Sequence, residues 1–309
     1  MAGEIMAQVT GTGGPGGRPA VVGTAAPSTG SPSGAPGAGT ALAPTGDRRG
    51  EAGLSALDRA QAADFVARYA GRTPAPVAVV IAAYNEEASV ASVVKALPAQ
   101  LCGLATEAVV VVDGSTDRTA EVAEEAGALV SDVPANRGQG AALRLGYHLA
   151  RLRGARYILT TDADGQYQSG DMERVLAPLV GGEADFVSGS RRLGSTTSKD
   201  TVRNLGVVVF AALISVLVRR RVTDPSCGLR ALRAEVTASV VLDQPQYQAS
   251  ELLIGTAMAG YRVKEVPIAM KARRSGKTKK GGNLVYGMRF CSVVLRTWWR
   301  ERSTNTKRS

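Results

Sequence analysis

The chain has 309 residues, of which 44% are hydrophobic, so it can form one large α/β domain or two small ones with a sizeable core. Its net charge of +10 lies at one end: residues 271–309 hold twelve Lys or Arg and one acidic residue, which leaves −1 for the other 270 residues. Three widely separated cysteines and a single histidine argue against a disulfide framework, a Cys/His zinc site and a histidine-based triad. They indicate a reducing, cytoplasmic setting.

The N-terminal part of the chain has a composition that can bury little apolar surface. Residues 1–50 contain thirteen glycines and six prolines, and we predict a disordered Gly/Pro/Ala-rich tail over residues 1–54. A helix and a proline-containing linker are predicted over residues 55–76. The chain shows no signal-peptide pattern, and its longest apolar run, Leu205–Val218, is shorter than the roughly 18 residues that span a bilayer.

From Val77 onward, short apolar runs alternate with helical periodicity. The run Val77–Ile81 is continuous and apolar, as in a buried parallel strand, and valines at 90, 93 and 94 follow at helical spacing. Further strands are predicted at 108–112, 129–130 and 157–164, with a helix before each. This β-α-β-α-β-α-β order predicts a mostly parallel, Rossmann-like sheet with helices on both faces. Later segments predict strands at 184–189 and 261–268, and helices at 172–180, 200–220, 248–260 and 283–300.

Two aspartates end the fourth predicted strand. Asp162 and Asp164 follow the apolar run that begins at Tyr157, at the carboxyl end of the strand, where open α/β sheets bind ligands. At a bend between strand and loop, the two carboxylates can approach one hard cation from two sides. Mg²⁺ and Mn²⁺ prefer such oxygen ligands and often bridge to phosphates. An ordinary solvated acidic turn is the alternative.

Polar residues also follow the first two strands. Tyr84 and Glu86 come after the first strand and Asp113 after the second, and convergent groups of this kind predict a nucleotide-type site. Turn formation is the alternative for Asp113. The absence of a G-x-G-x-x-G or P-loop motif removes the main support for NAD-binding and P-loop interpretations. The glycines of Asn136–Gly140 stand at a helix entry, where free N–H groups favour anions.

Four segments in this order resemble the signature of family 2 glycosyltransferases: VIAAYNEE at 80–87, VVDGSTD at 111–117, NRGQG at 136–140 and DADGQ at 162–166. Four later segments resemble the dolichol-phosphate-mannose-synthase, or polyprenyl-phosphate glycosyltransferase, branch: SGSR at 188–191, DPSCGLR at 224–230, EVP at 265–267 and RRSGKTK at 273–279. The resemblance covers roughly residues 77–290 and implies a GT-A catalytic domain over 77–282. Ala82 and Val112 stand where the family usually has proline and aspartate.

The resemblance implies a role for each matching residue. The donor nucleotide would be bound by Ala83, Tyr84, Glu86, Val111, Asp113, Asp162 and Ala163. The metal ligands would be Asp162, Asp164 and Gln166, and the catalytic residues would be Asp164 and Arg191. The acceptor phosphate would be bound by Arg203, Arg273 and Lys279.

The implied reaction is the inverting transfer of a sugar from a nucleotide-sugar, of GDP-mannose or UDP-glucose type, to a polyprenyl phosphate with Mg²⁺ or Mn²⁺. The acceptor oxygen is anionic at pH 7, so positive charge that brings two anions together matters more than a strong general base. Residues 283–309, with Trp298 and Trp299 among arginines, are predicted to form a basic amphipathic segment on an anionic bilayer. We therefore expect a peripheral protein at the inner face of the cell membrane, where a membrane-anchoring partner protein is possible.

Several alternatives stay open at this stage. A transferase of the same fold could use a soluble acceptor such as 3-phosphoglycerate. A basic nucleic-acid-binding protein would explain the charged C-terminal region, but the chain contains no recognisable nucleic-acid module and no nucleic-acid partner is expected. A catalytically silent scaffold is argued against by the intact Asp162, Asp164 and Gln166. Packing on the domain competes with membrane binding as an explanation for part of the terminal helix.

Overall fold

The structure is a computed structural model and describes residues 48–196, 201–270 and 283–306. Its strands are β1 (Val77–Ala83), β2 (Gln100–Leu101), β3 (Leu104–Asp113), β4 (Leu129–Val133), β5 (Tyr157–Asp162), β6 (Phe186–Thr196), β7 (Arg230–Arg233) and β8 (Val263–Met270). A short 3-10 helix spans Arg48–Glu51. The α-helices are α1 (Ala56–Arg68), α2 (Val90–Lys95), α3 (Thr119–Glu125), α4 (Gln139–Leu152), α5 (Ser169–Val180), α6 (Thr201–Val218), α7 (Ala234–Ser239), α8 (Gln248–Met258) and α9 (Asn283–Thr306).

The described strands form one eight-stranded sheet. Strands β4, β3, β1 and β5 lie side by side and run parallel, as the alternating sequence pattern predicted. Strand β7 is antiparallel to both of its neighbours, β5 and β6, and β8 runs parallel to β6. The short β2 pairs antiparallel with β3. The sheet is therefore mixed, and its parallel half carries the first strand ends.

Helices cover both faces of the sheet, as predicted. Alternate residues of β1 point to opposite faces: Ala78 and Val80 belong to one buried cluster, and Val77 and Val79 belong to the other. Residues of α1, α4 and α6 to α9 complete the first cluster, and residues of α2, α3 and α5 complete the second. A strand that is buried on both faces needs a continuous apolar run, which is what Val77–Ile81 provides.

Two short elements in the middle of the second half were missed by the sequence analysis. Strand β7 has the sequence RALR, in which charged residues hide the apolar signal of a strand. It forms because it fills the gap between β5 and β6 and pairs with both. Helix α7 follows directly and has only six residues, too few for helical periodicity to be recognised.

The predicted disordered tail extends too far along the chain. Residues 48–51 form the 3-10 helix, and the side chain of Leu54 is buried. A Cβ atom at Gly50 would clash with the backbone carbonyl oxygen of Thr237, so this segment lies directly against α7. Residues 48–54 are therefore part of the fold, because packing against α7 supplies the burial that their composition does not announce. The rest of the predicted tail, residues 1–47, lies outside the described residues.

Helix α1 and the linker after it pack against the same fold. The helix begins at a capping box in which Ser55 and Asp58 each bond the other's backbone N–H group, and Phe65 is fully enclosed in the core. Arg153, which caps the end of α4, donates hydrogen bonds to the backbone oxygens of Tyr69 and Arg72. Residues 55–76 thus contain α1 and the connection that follows it, and Arg153 joins this connection to the end of α4.

The terminal helix α9 packs one face against the domain. Phe290 and Val294 are buried, and the Phe290 ring lies 4.3 Å from that of Phe210 on α6, measured between centroids. The indole nitrogen of Trp298 donates a hydrogen bond to the backbone oxygen of Leu217. Among the described residues, no helix is both long and apolar enough to cross a membrane.

Candidate active site

The carboxyl ends of β1, β3 and β5 lie level at one edge of the sheet. In the strand register, Ala82 of β1 is opposite both Val111 of β3 and Asp162 of β5. Asp113 ends β3 two residues after Val111. Strand ends that are far apart in sequence thus come together because parallel strands point the same way, and the polar residues that follow them border one crevice.

The two aspartates at the end of β5 have different surroundings. Asp162 is the last residue of the strand and is half-buried, and its Oδ1 atom accepts a hydrogen bond from Gln139 Nε2 at 3.4 Å. Asp164 is only 8% exposed and lies in the turn, where Gly165 has a φ of 70°. The backbone N–H of Gln166 donates to Asp164 Oδ1 at 3.2 Å. The turn therefore fixes the second carboxylate just past the strand end.

Gly228, which lies in a loop far along the chain, packs directly against the Asp162 carboxylate. A Cβ atom at Gly228 would clash with both carboxylate oxygens of Asp162, so the carboxylate fills the space that a side chain at this position would need. The backbone N–H of Gly228 donates a hydrogen bond to the Tyr167 hydroxyl at 3.0 Å. Burial raises the pKa of Tyr167 well above its ordinary value and raises the pKa of Cys227 to about 12, so both groups are neutral at pH 7.

The loop that carries Gly228, residues 223–228, is held in place by the buried Asp224 and by two partly buried charged residues, Arg191 and Glu265. Arg191 forms a paired contact with Asp224, with Nε to Oδ2 at 2.6 Å and Nη2 to Oδ1 at 2.7 Å. Glu265 of β8 accepts hydrogen bonds from the backbone N–H groups of Thr223 and Asp224. Burial by itself lowers the pKa of Arg191, but the hydrogen bonds and charge of Asp224 outweigh burial and raise that pKa. Arg191 therefore helps to hold this loop in place through Asp224, and its catalytic role stays a prediction.

Two loops on the other side of the crevice are joined by their own polar groups. Asn85 has a φ of 53°, its N–H donates to the Ser115 hydroxyl at 2.9 Å, and its Oδ1 accepts from the backbone of Thr116. The N–H of Glu86 donates to Thr119 Oγ1 at 2.8 Å. Tyr84, at the start of this loop, is 38% exposed. The segment after β1 is therefore held against the segment after β3, with Tyr84 at the surface of the crevice.

Asp113 is buried and already accepts hydrogen bonds from the protein. Its Oδ2 atom accepts from the backbone N–H groups of Arg137 at 2.8 Å and Gly138 at 2.7 Å. Its carboxylate thus holds the Asn136–Gly140 segment, in which a Cβ atom at Gly138 would lie 2.7 Å from the Pro245 oxygen. These contacts reach residues 24 and 25 positions further along the chain, so Asp113 joins two distant segments and is not simply the turn former that the sequence left as the alternative. A contact to a base or ribose stays a prediction.

Three further residues predicted to bind the donor are buried. Ala83 and Ala163 are 2% and 5% exposed and lie at the ends of β1 and β5. Val111 is fully buried, in the core cluster that includes residues of α4. The Val111 side chain points from β3 into the helix layer. In this packing it therefore does not make the predicted contact with the nucleoside.

The chain matches the family model described as glycosyl transferase family 2 over residues 78–240, a segment that runs from the second residue of β1 to a point beyond β7. That match spans more than half of the chain and includes both aspartates and the Gly228 loop.

The chain belongs to glycosyltransferase family 2.

Named relatives of this glycosyltransferase agree with that assignment. It is 36% identical to a dolichyl-phosphate hexose transferase of Haloferax volcanii, over 71% of this chain and 94% of the relative. It is 28% identical to an undecaprenyl-phosphate mannosyltransferase of Micrococcus luteus, over 68% of this chain and 89% of the relative. This family 2 member is therefore an enzyme of the glycosyltransferase class, as the motif order predicted.

A solved structure with a similar fold comes from Mycobacterium tuberculosis. It is glucosyl-3-phosphoglycerate synthase in complex with Mn²⁺, uridine diphosphate and phosphoglyceric acid, and it matches with a TM-score of 0.55 and 24% identity over 77% of this chain and 82% of that chain. At this identity the likeness concerns the fold alone. The predicted GT-A fold of this glycosyltransferase is confirmed.

The predicted acceptor-binding residues are only partly covered by the structure. Arg273 and Lys279 lie outside the described residues. Arg203 lies in the first turn of α6, and its backbone is helical. The roles of these three residues therefore stay predictions.

Three residues that the sequence analysis did not assign contribute to the site of this glycosyltransferase. Asp224 and Gly228 belong to the DPSCGLR segment, which was noticed as a motif without a role for each member. Tyr167 follows the DADGQ segment directly, and its hydroxyl reaches the Gly228 loop. The motif signal could have identified Asp224 and Gly228, whereas the contact of Tyr167 depends on the fold.

Proposed function

We propose that this glycosyltransferase moves a sugar from a nucleotide-sugar to a polyprenyl phosphate, with a divalent cation and at an anionic membrane surface. One observation carries the proposal: Asp162 and Asp164 stand together at the carboxyl edge of the sheet in a chain whose named relatives include two polyprenyl-phosphate sugar transferases. The donor would be a GDP-mannose or UDP-glucose type of nucleotide-sugar.

The residues at the end of β5 fit a divalent cation. Mg²⁺ is commonly held by one or two carboxylates and completes its shell with water and substrate phosphates. In the described part of the chain no group of three or more His, Cys, Asp or Glu side chains has metal-binding geometry. Asp162 and Asp164, with Gln166 beside them, offer hard oxygen donors at the carboxyl edge of the sheet. When bound, the cation would neutralise charge on the departing nucleoside diphosphate.

The protein groups around this pair would position the donor. Tyr84, exposed just after β1, would contact the nucleoside, and Glu86 follows it by two residues. The Arg191–Asp224 pair would keep the Gly228 loop pressed against Asp162, so that the carboxylate cannot swing away during the reaction. Asp164 would act at the reacting diphosphate through the cation it helps to hold.

The acceptor needs binding and orientation more than deprotonation. A polyprenyl phosphate carries an anionic oxygen at pH 7 and can attack the anomeric carbon directly from the face opposite the leaving group, which gives inversion. We assign the binding of this phosphate to Arg203, Arg273 and Lys279, because arginine pairs with phosphate through two N–H groups and lysine adds a point charge.

A surface formed by α6 and α9 supports membrane association. Exposed apolar side chains stand on both helices: Val208, Val209 and Val216 on α6, and Met288, Leu295 and Trp299 on α9. The two helices are in contact through Phe210 and Phe290. Exposed arginines border the apolar groups, at 219–221 after α6 and at 289, 296 and 302 on α9. We call these residues the α6–α9 surface; its mixture of apolar and basic groups fits an anionic bilayer.

The proposal is tested by sugar transfer from radiolabelled GDP- and UDP-sugars, with Mg²⁺ or Mn²⁺ and with EDTA, to either of two acceptors: a short polyprenyl phosphate in detergent, or 3-phosphoglycerate. We expect label in the lipid phase that EDTA removes and that Asp164→Asn abolishes. Asp132→Asn, on an exposed carboxylate of β4, is the matched control and should retain activity. Label on 3-phosphoglycerate alone would move the acceptor to the soluble alternative, and an absence of donor turnover would overturn the proposal.

Membrane binding is measured with vesicles of anionic and of zwitterionic lipid. We expect co-sedimentation with anionic vesicles, and its loss in the double variant Val216→Asp and Trp299→Asp. Leu152→Asp, on a half-exposed leucine that ends α4, is the matched control and should still bind. Equal binding of both variants would remove the α6–α9 surface from the proposal, and tighter binding to oligonucleotides than to anionic vesicles would favour the nucleic-acid alternative.

A further inference from the structure

Arg230, the first residue of β7, is a buried cation with no acidic partner among the described residues. It is 3% exposed, and its guanidinium donates one hydrogen bond, from Nη1 to Gln248 Oε1 at 3.3 Å. Its Nε atom is buried and has no hydrogen-bond acceptor. Arginine stays protonated at any pH that the fold tolerates, and an uncompensated buried charge is strongly unfavourable. A bound anion would compensate the positive charge of Arg230.

Gln248 presents a second buried donor at the same place. It is also 3% exposed, and its Nε2 atom has no acceptor. Gln248 is the first residue of α8, an eleven-residue helix whose N-cap, Tyr247, has a φ of 62° and provides no side-chain cap. The first N–H groups of a helix and its dipole favour negative charge. A guanidinium, an amide and a helix N-terminus thus offer donors at one point.

This point lies directly beneath the candidate metal site. Arg230 is paired with Thr160 across the boundary between β7 and β5. Asp162 follows Thr160 by two residues, so their side chains lie on the same face of the sheet, one pleat apart. Gly228, two residues before Arg230, abuts the Asp162 carboxylate. Arg230 therefore stands one step deeper than Asp162 on the same face.

We propose that Arg230 and Gln248, together with the N-terminus of α8, bind a phosphoryl oxygen of a substrate. The inference rests on the proposed function, in which both substrates carry phosphate. Charge-assisted hydrogen bonds from a guanidinium are the strong ones, and a site shielded from water strengthens them further. The phosphoryl group belongs to the donor diphosphate or to the acceptor monophosphate. Ser250, which donates a hydrogen bond to the Pro225 oxygen, links α8 to the Thr223–Gly228 loop above this pair.

Two variants and one control of the full chain test the inference. Gln248→Glu places a carboxylate beside Arg230 that neutralises its positive charge, and the glutamate side chain has nearly the same size and shape as glutamine. Arg230→Met removes the charge. Arg233→Gln is the matched control, because Arg233 stands on the same strand but forms an ion pair with Asp185 at 3.3 Å. Calorimetric titration measures binding of inorganic phosphate, of UDP and GDP with Mg²⁺, and of citronellyl phosphate.

We expect at least tenfold weaker binding of one or more of these probes in Gln248→Glu and Arg230→Met, and wild-type binding in Arg233→Gln. Loss confined to the nucleoside diphosphates assigns the pair to the donor, and loss confined to citronellyl phosphate assigns it to the acceptor. The inference is overturned if Gln248→Glu binds every probe as the wild type does, or if the wild type binds none. Sugar transfer is measured in parallel. If probe binding depends on Arg230 and Gln248 but the protein transfers no sugar, the proposed function is wrong and the inference stands. If Gln248→Glu transfers sugar normally and binds every probe as the wild type does, the inference is wrong and the proposed function stands.

Discussion

At the scale of single residues, the candidate active site depends on the absence of one side chain. Asp162 can occupy its place at the end of β5 only because residue 228 is glycine. Asp164, two residues further on, takes its position from the turn at Gly165. Small backbone features therefore decide where both carboxylates stand.

Substitution of Gly228 by alanine should damage the site more than the fold. The added Cβ would displace the Asp162 carboxylate, and overpacking of this kind destabilises a protein by about 1–3 kcal/mol. We expect metal-dependent turnover to fall at least about tenfold, equivalent to about 1.4 kcal/mol of transition-state stabilisation. Gly170→Ala is the control, since a Cβ there meets nothing within 4 Å. Equal kcat values for the two variants would show that Asp162 does not need its present position.

The single histidine gives a prediction on pH. Burial, followed by the nearby positive charge of Arg151, lowers the pKa of His148 below its ordinary value of 6.5. As the pH falls below about 6.5, His148 becomes protonated in the unfolded chain while it stays neutral in the folded chain. Because the unfolded state then binds more protons, the free energy of unfolding should decrease. An NMR titration of the one histidine and denaturant unfolding at pH 7.5 and 5.5 measure both effects. His148→Gln should reduce the stability difference between the two pH values; an unchanged difference would assign it to other groups.

At the scale of elements, α9 has two unlike faces. Phe290, Val294, Thr297 and Glu301 recur at helical spacing and are all buried against the domain. Met288, Leu295 and Trp299 recur on the exposed side, with arginines beside them. The helix is therefore integral to the fold through one face, while the other face is available for the proposed membrane contact.

Substitutions on the two faces of α9 should have different effects on the free energy of unfolding. Phe290 is 2% exposed and its ring contacts both Phe210 and Tyr247. Phe290→Ala should lower the free energy of unfolding by about 3–5 kcal/mol, as for other buried aromatic residues. Met288→Ala, on the exposed face, should change it by less than about 0.5 kcal/mol. Urea unfolding measures both, and a Phe290→Ala protein as stable as the wild type would mean that α9 is not held by this face.

At the scale of the whole molecule, segments from the two ends of the described chain meet. Arg49 forms an ion pair with Glu301 of α9 at 3.3 Å. Arg300 reaches the backbone oxygen of Val241 and the buried Glu251 of α8. The 3-10 helix, α7, α8 and α9 are thereby joined on one side of the sheet.

Two N-terminal truncations should differ in Tm, because residues 48–54 pack against the domain and residue 49 forms an ion pair with α9. Deletion of residues 1–47 should leave Tm and sugar transfer unchanged. Deletion of residues 1–54 also removes Leu54, whose burial is worth about 1.5–3 kcal/mol, and the Arg49–Glu301 ion pair, so Tm should fall. Thermal unfolding of both proteins makes the comparison. An equal Tm for the two would mean that the segment 48–54 contributes nothing to stability.

The sequence by itself determined the α/β class, the parallel first half of the sheet and the family. Continuous apolar runs such as Val77–Ile81 and helical spacings such as those of α2 and α4 are local signals, and the ordered motifs place Asp162 and Asp164 at a strand end. These features are readable because each depends on neighbouring residues alone.

Only the tertiary structure decided the rest. The closure of Gly228 on Asp162, the pairing of Arg191 with Asp224 and the inclusion of residues 48–54 join segments that are far apart in the chain. Strand β7 exists because two longer strands leave a gap that its backbone fills, and Arg230 is buried because β7 lies there. The physical reason is that hydrogen bonds, burial and charge pairing act between groups in space, and no local pattern records which distant groups will meet.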